Sequence, residues 1–150
     1  MNRCIAGQYP AASTFKAFTG LAALNYGFAT SSTSWNCSGT WTGFGEAYAQ
    51  KCWLTTGHGA IDLRHGIVVS CDVVFYEIAK NFYDASSKIG DDAMQNYIKE
   101  FGLGSKTGIE LPDEAQGVIP TPEWKKEYFR NAPEEGQWQP GDMTNMVIGQ

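Results

Sequence analysis

In Tyr9-Pro10-Ala11-Ala12-Ser13-Thr14-Phe15-Lys16 a proline-led approach gives way to a helix. The short segment from Asn2 ends on Tyr9-Pro10, which favours extended backbone just before the turn. From Ser13 onward Phe15, Phe18, Leu21, Ala22 and Leu24 recur at helical spacing, with Ser13 placed as the N-cap. Working outward, residues 25–45 are rich in Ser, Thr, Gly and Trp without a helical period, and read as irregular loop with room for short strands. A second helix is expected from Ala60 toward Val69, with Ile61, Ile67 and Val68 as its apolar residues. Asp72 to Tyr83 predicts a buried helix with Val74, Ile78 and Phe82 on one face. Asp91 to Phe101 predicts another, using Met94, Tyr97, Ile98 and Phe101. Pro112, Pro120 and Pro122 keep residues 104–122 in loop. Two further turns are expected at Glu123 to Arg130, and a last helix capped by Asp142. The expected class is mainly α, with four to six helices and little strand.

Composition narrows the function. The 150 residues suit one domain with a real core. At 43% hydrophobic and 18% charged, disorder and a coiled-coil rod are excluded. A net charge of −5 with eleven Lys and Arg leaves no electrostatic footprint for nucleic acid. No apolar run approaches the roughly 18 residues of a membrane span, and the start, Met-Asn-Arg-Cys, lacks a signal-peptide pattern.

The chemistry begins with Ser13 and Lys16, three residues apart and one helical turn from each other. The helix N-terminus favours negative charge developing on Ser13 Oγ, and a neutral Lys16 amine can take its proton. Alone, S-x-x-K is common by chance, with Ser13 a plain cap and Lys16 a solvated lysine. Here it is followed by Ser70-Cys71-Asp72-Val73-Val74-Phe75-Tyr76, then Gly102-Leu103-Gly104 with Thr107-Gly108-Ile109-Glu110-Leu111-Pro112, then Gly141-Asp142 and Ile148-Gly149-Gln150. This ordered set resembles the transpeptidase domain of class B penicillin-binding proteins, especially the elongation-type branch. Two departures stand out. Ala11-Ala12 replaces the Pro-Gly usual before the nucleophile, and Ser70-Cys71-Asp72 is an S-x-D form of a motif that is often S-x-N.

The resemblance implies acyl transfer on peptidoglycan stem peptides, acylation by β-lactams, and no cofactor for catalysis. Ser13 would be the nucleophile and Lys16 its base. Ser70 would relay a proton to the leaving amine, and Asp72 would bond the lysine and the substrate amide. Ser70 and Asp72 also read as an N-cap pair opening the following helix. The parent protein would be membrane-anchored on the extracytoplasmic face of the bacterial cell, among cell-wall synthesis partners, with this stretch itself soluble. Lys106-Thr107-Gly108 mimics the third catalytic motif of the family, but it sits in loop between Gly104 and Pro112 with no strand pattern before it. Thr107 to Pro112 matches a different family stretch, T-G-I-x-L-P. The expectation is therefore a fragment of one transpeptidase domain, the helical half of its fold, with most of the sheet missing and the true K-T-G beyond Gln150. Residues 1–150 alone should then acylate extremely slowly, since loss of one oxyanion donor costs about 10²–10³ in rate. Rival readings are a serine β-lactamase, for which no E-x-x-L-N motif follows Asp72, and a non-catalytic β-lactam sensor or metal-stabilised helical binding module.

Cys37, Cys52, His58 and Cys71 form a Cys₃His set, a complete tetrahedral shell for structural zinc. Their spacing is not that of a zinc finger. Gly57 and Gly59 let the backbone turn His58 inward, the loop around residues 30–57 needs an anchor, and Cys71 should face away from the cleft if Ser70 and Asp72 face it. Metal there would pin the loop behind Ser70. A Cys37–Cys52 disulfide and free buried thiols are the alternatives. Cys4 is left over, and His65 is expected on the surface.

Overall fold

Helix α4 (Asp72–Ile89) is the spine of the computed structural model, which describes residues 2–150. Its buried face carries Val74, Phe75, Ile78, Ala79 and Phe82, so the helical period read in the sequence is met. Each such large side chain contributes about 1.5–3 kcal/mol when fully buried. Helix α2 (Lys16–Asn25) lies against it and buries Thr19, Ala22 and Ala23. Helices α5 (Ala93–Lys99) and α7 (Pro140–Val147) also pack on α4. Phe82 closes one end of this layer, with the rings of Phe28 and Tyr26 edge-on to it at 4.8 and 5.2 Å.

Strand is confined to two antiparallel ribbons among the described residues. In one, β1 (Ser34–Cys37) pairs with β4 (Gly59–Asp62), Cys37 lying opposite Gly59. In the other, β2 (Thr40–Trp41) pairs with β3 (Gln50–Lys51). Both ribbons rest on α4, and Trp41 Nε1 donates to Glu77 Oε1 (2.7 Å) to fix the second. The mainly α class with few short strands is as expected. No helix among these residues is long and apolar enough to cross a membrane.

Several local expectations are corrected. The N-terminal segment holds a short helix, α1 (Arg3–Ala6), because the Asn2 side chain accepts from Cys4 N–H and caps it. Ser13 is not an N-cap. It lies inside a 3₁₀ turn, Ala12–Phe15, that leads into α2, and Ala11 precedes that turn. The helix expected from Ala60 starts later, as α3 (Leu63–Val68), because Ile61 belongs to β4 and Asp62 caps the helix through His65 N–H (2.7 Å). Ile67, Val68, Leu21, Leu24 and Phe101 are partly or largely exposed, not core. Asp142 is the third residue of α7, not its cap, and accepts from Gln139 N–H (2.6 Å). It also receives Lys125 Nζ on both oxygens (2.8 and 2.7 Å), which ties α7 to α6 (Pro122–Tyr128). The described residues hold seven α-helices, more than the four to six expected. His65 is exposed and Cys4 stands apart, as expected.

Candidate active site

The start of α2 and the start of α4 meet at one point. Lys16, the first residue of α2, is 1% exposed. Burying an ammonium is expensive unless its donors are all paired, and here three partners surround it. Nζ donates to Asp72 Oδ1 (2.5 Å), Ser70 Oγ (2.9 Å) and the Ser70 carbonyl (3.0 Å). The Phe75 ring lies 5.4 Å from the same nitrogen. Ser70 Oγ in turn donates to Ser13 Oγ (2.7 Å), and Ser13 faces solvent. The structure therefore brings Lys16 and Asp72 together with Ser13 and Ser70, the two hydroxyls lying 57 residues apart in the chain. It also changes the expected wiring: Ser70 stands between Ser13 and Lys16, and the hydrogen bonds run Lys16–Ser70–Ser13.

Backbone geometry explains why Ser70 can bridge. Ser70 has φ of 54°, and Ala12, beside Ser13, has φ of 49°. Left-handed backbone costs a residue with a side chain about 1–2 kcal/mol, so Ser70 and the residue before Ser13 are both held by their surroundings. The peptide around Ser70 is fixed by Cys71 N–H to Gly66 O (2.8 Å) and Ser70 N–H to Ile67 O (3.2 Å). Ala12 N–H donates to Gly149 O (2.9 Å), and Thr19 Oγ1 to Val147 O (2.9 Å), so the chain's last segment backs the Ser13 turn. Asp72 is the first residue of α4 and Cys71 caps it without a side-chain bond, so no Ser70–Asp72 capping pair forms. The second oxygen of Asp72, expected to face a substrate amide, accepts from the Trp53 backbone N–H (2.9 Å). Trp53 and the Ala12–Gly149 contact escaped sequence reasoning, because both act through backbone groups that no side-chain motif records.

Lys106-Thr107-Gly108 lies in loop, as expected, and away from strand pairing. Thr107 N–H and Oγ1 both donate to Glu114 Oε1 (2.8 and 2.5 Å). Those bonds hold the Glu114 carboxyl below its usual value.

Behind Ser70, Cys37, Cys52, His58 and Cys71 converge. Their ligand atoms all lie within 4.8 Å of one another. Cys37 Sγ and Cys52 Sγ stand 3.5 and 3.6 Å from His58 Nδ1. A tetrahedral zinc shell has edges of about 3.5–3.8 Å from its bond lengths, so the donor set fits with small inward shifts. All four cysteines are unbridged. Gly57 makes the approach possible: with φ of 79°, a Cβ there would fall 2.2 Å from Cys37 O. Gly59 also has positive φ. Burial pushes the Cys71 thiol up to about 12. Burial also raises Cys37, but backbone donors from His58 and Gly39, with the neighbouring thiols, bring it below its ordinary value. His58 Nε2 is buried without a partner among the described residues.

Residues 1–137 match the penicillin binding protein transpeptidase domain. The chain belongs to this family. Along 149 residues it is 33% identical to the peptidoglycan D,D-transpeptidase MrdA of Acinetobacter baumannii, covering 99% of this chain and 20% of that protein. Against the MrdA of Escherichia coli K12 the identity is 34% over 150 residues, covering 100% and 22%. The chain thus spans about a fifth of the length of these curated relatives. Among solved structures, Pseudomonas aeruginosa PBP2 in complex with WCK 5153 superposes with a TM-score of 0.84 at 30% identity, covering 100% of this chain and 31% of that one. Helicobacter pylori PBP2 in complex with MreC gives 0.84 at 29% identity, covering 100% and 26%. The resemblance to the elongation-type branch is thereby met.

Proposed function

We propose that these residues are part of one transpeptidase domain in a longer peptidoglycan D,D-transpeptidase, acting through a serine acyl-enzyme. The observation that carries the reading is the Lys16–Ser70–Ser13 hydrogen-bond chain ending on an exposed hydroxyl. Hydroxyl protons rotate to suit their partners, so the chain can run in reverse when the amine is neutral. Ser13 Oγ attacks the carbonyl of the penultimate D-Ala of a stem peptide. Its proton passes to Ser70 Oγ, and the Ser70 proton passes to Lys16 Nζ. An ester forms on Ser13, the peptide C–N bond breaks, and the terminal D-Ala leaves with the proton returned through Ser70. The amine of a second stem peptide then attacks the ester, forming the cross-link and restoring Ser13. Asp72 holds Lys16 in line by its short bond. A β-lactam enters the same path at the first step and stops at the ester.

The match to relatives named as D,D-transpeptidases supports the substrate class. The parent would act on the extracytoplasmic face of the cell membrane, anchored there. A cell-wall partner of the MreC kind is suggested by the complex solved for the Helicobacter pylori relative. The test is release of D-alanine and a cross-linked product from a stem pentapeptide and an acceptor amine, using the full-length protein. Ser13→Ala should abolish both; product from that variant would refute the reading.

Cys37, Cys52, His58 and Cys71 would hold one structural zinc with no open coordination position, apart from the chemistry. Bound there, it would pin the loop from β1 to β4 behind Ser70. Protein purified without chelator should carry one zinc per chain, and Cys52→Ser should lose it. Absence of zinc with Cys37 and Cys52 cross-linked would decide for a disulfide.

A further inference from the structure

Trp53 poses a question that packing does not answer. It is 62% exposed, so burial does not hold it. Yet it makes two directed hydrogen bonds, and they land on either side of Ser70. Its indole Nε1–H donates to the Val69 carbonyl (3.0 Å), the residue before Ser70. Its backbone N–H donates to Asp72 Oδ2 (2.9 Å), two residues after Ser70. Its ring stands edge-on to His58, 5.5 Å between centroids, which limits how the indole can turn.

We propose that Trp53 is a positioning residue for acyl transfer at Ser13, bracketing Ser70 through Val69 and Asp72. The proposal rests on the transpeptidase reading above. Ser70 needs such a bracket because its left-handed backbone, φ of 54°, is intrinsically unfavourable. The relay works only in that conformation, where Ser70 Oγ reaches both Ser13 Oγ at 2.7 Å and Lys16 Nζ at 2.9 Å. Relaxing φ to negative values would swing the hydroxyl away from one partner or both. The bond to Asp72 adds a second function. A carboxylate held by one oxygen alone can rotate, whereas Oδ2 on Trp53 N–H leaves Oδ1 aimed at Lys16. Trp53 touches no reacting atom in this arrangement and acts through Ser70 and Lys16.

The test uses the full-length protein with Trp53→Phe and Trp53→Ala, labelled rapidly with a fluorescent penicillin so that first binding and the covalent step are measured separately. Trp53→Phe keeps a ring against His58 and removes only the indole donor. A typical net hydrogen bond corresponds to about a 2- to 12-fold effect. The covalent rate should fall by about that factor in Trp53→Phe and further in Trp53→Ala, with the labelled fraction and the first binding step unchanged. A merely structural Trp53 would instead lower the labelled fraction while the surviving molecules react at the normal rate; that result overturns the proposal. Labelling lost in Ser13→Ala, with an unchanged covalent rate in both Trp53 variants, overturns the bracket and leaves the transpeptidase reading standing. Labelling that survives Ser13→Ala overturns both.

Discussion

Replacing Lys16 by Met keeps the length of the side chain and removes its charge. Lys16 Nζ is the sole cation in contact with Asp72 Oδ1 among the described residues, and the two side chains are 2% and 14% exposed. Loss of the amine strands a largely buried carboxylate with only the Trp53 N–H, and strips Ser70 of two donor contacts. Breaking a buried pair from one side costs about 3–5 kcal/mol, whereas replacing both members with neutral groups is often nearly free. Lys16→Met and Asp72→Asn should therefore each destabilise by about 3–5 kcal/mol, while the double variant loses much less than their sum. The coupling in the double-mutant cycle should be at least about 2 kcal/mol. Urea unfolding followed by tryptophan fluorescence and far-ultraviolet circular dichroism measures it. The two variants that lack the Lys16 amine should be unable to acylate, whatever their stability, so stability and chemistry separate. A coupling below about 0.5 kcal/mol, the level expected of independent sites, would refute the buried pair as the basis of the site.

Gly149→Ala should be among the more damaging small substitutions. Its Cβ would fall 2.3 Å from Ala12 O, at a φ of 77°, so strain and overpacking together cost about 2–5 kcal/mol; a thermal unfolding curve like that of the unchanged protein would contradict this. Glu114 provides a pH test. Its carboxyl is lowered first of all by the Thr107 side-chain bond, so the contribution is present above the unfolded-state value and lost as pH falls through the lowered one. Protection of the Thr107 amide from hydrogen exchange should fall over that acidic range and be absent in Glu114→Ala, which lacks the acceptor, at every pH; protection independent of both would sink the assignment.

What could be read from sequence followed how much of the physics is periodic. Val74, Ile78 and Phe82 repeat at helical spacing and are buried, so α4 was legible. Ile67 and Val68 look equally apolar, but apolar character does not say which face meets the core, and both turn outward. Strand β4 spans four residues with one buried side chain, Ile61, too short for alternation to show. The helix Arg3–Ala6 is a single turn, too short for a period to show, and its cap at Asn2 was not read from the sequence. At the candidate site, residue types and order singled out Ser13, Lys16, Ser70 and Asp72, which the structure brings together, but not that Ser70 lies between the other hydroxyl and the amine. That wiring depends on the left-handed backbone at Ser70, for which a serine gives no sign. The Cys₃His set was legible by chemistry, though its spacing fits no familiar pattern. Trp53 was not, since one of its two bonds comes from the main chain.

The central claim is that the exposed hydroxyl at the end of the Lys16–Ser70–Ser13 chain is the nucleophile. Intact-mass and peptide mass spectrometry of the full-length protein after exposure to a penicillin tests it most directly. One adduct per chain is expected, the mass of the intact antibiotic, on the peptide containing Ser13, and none in Ser13→Ala. An adduct on any other residue, or one that persists in Ser13→Ala, would contradict it.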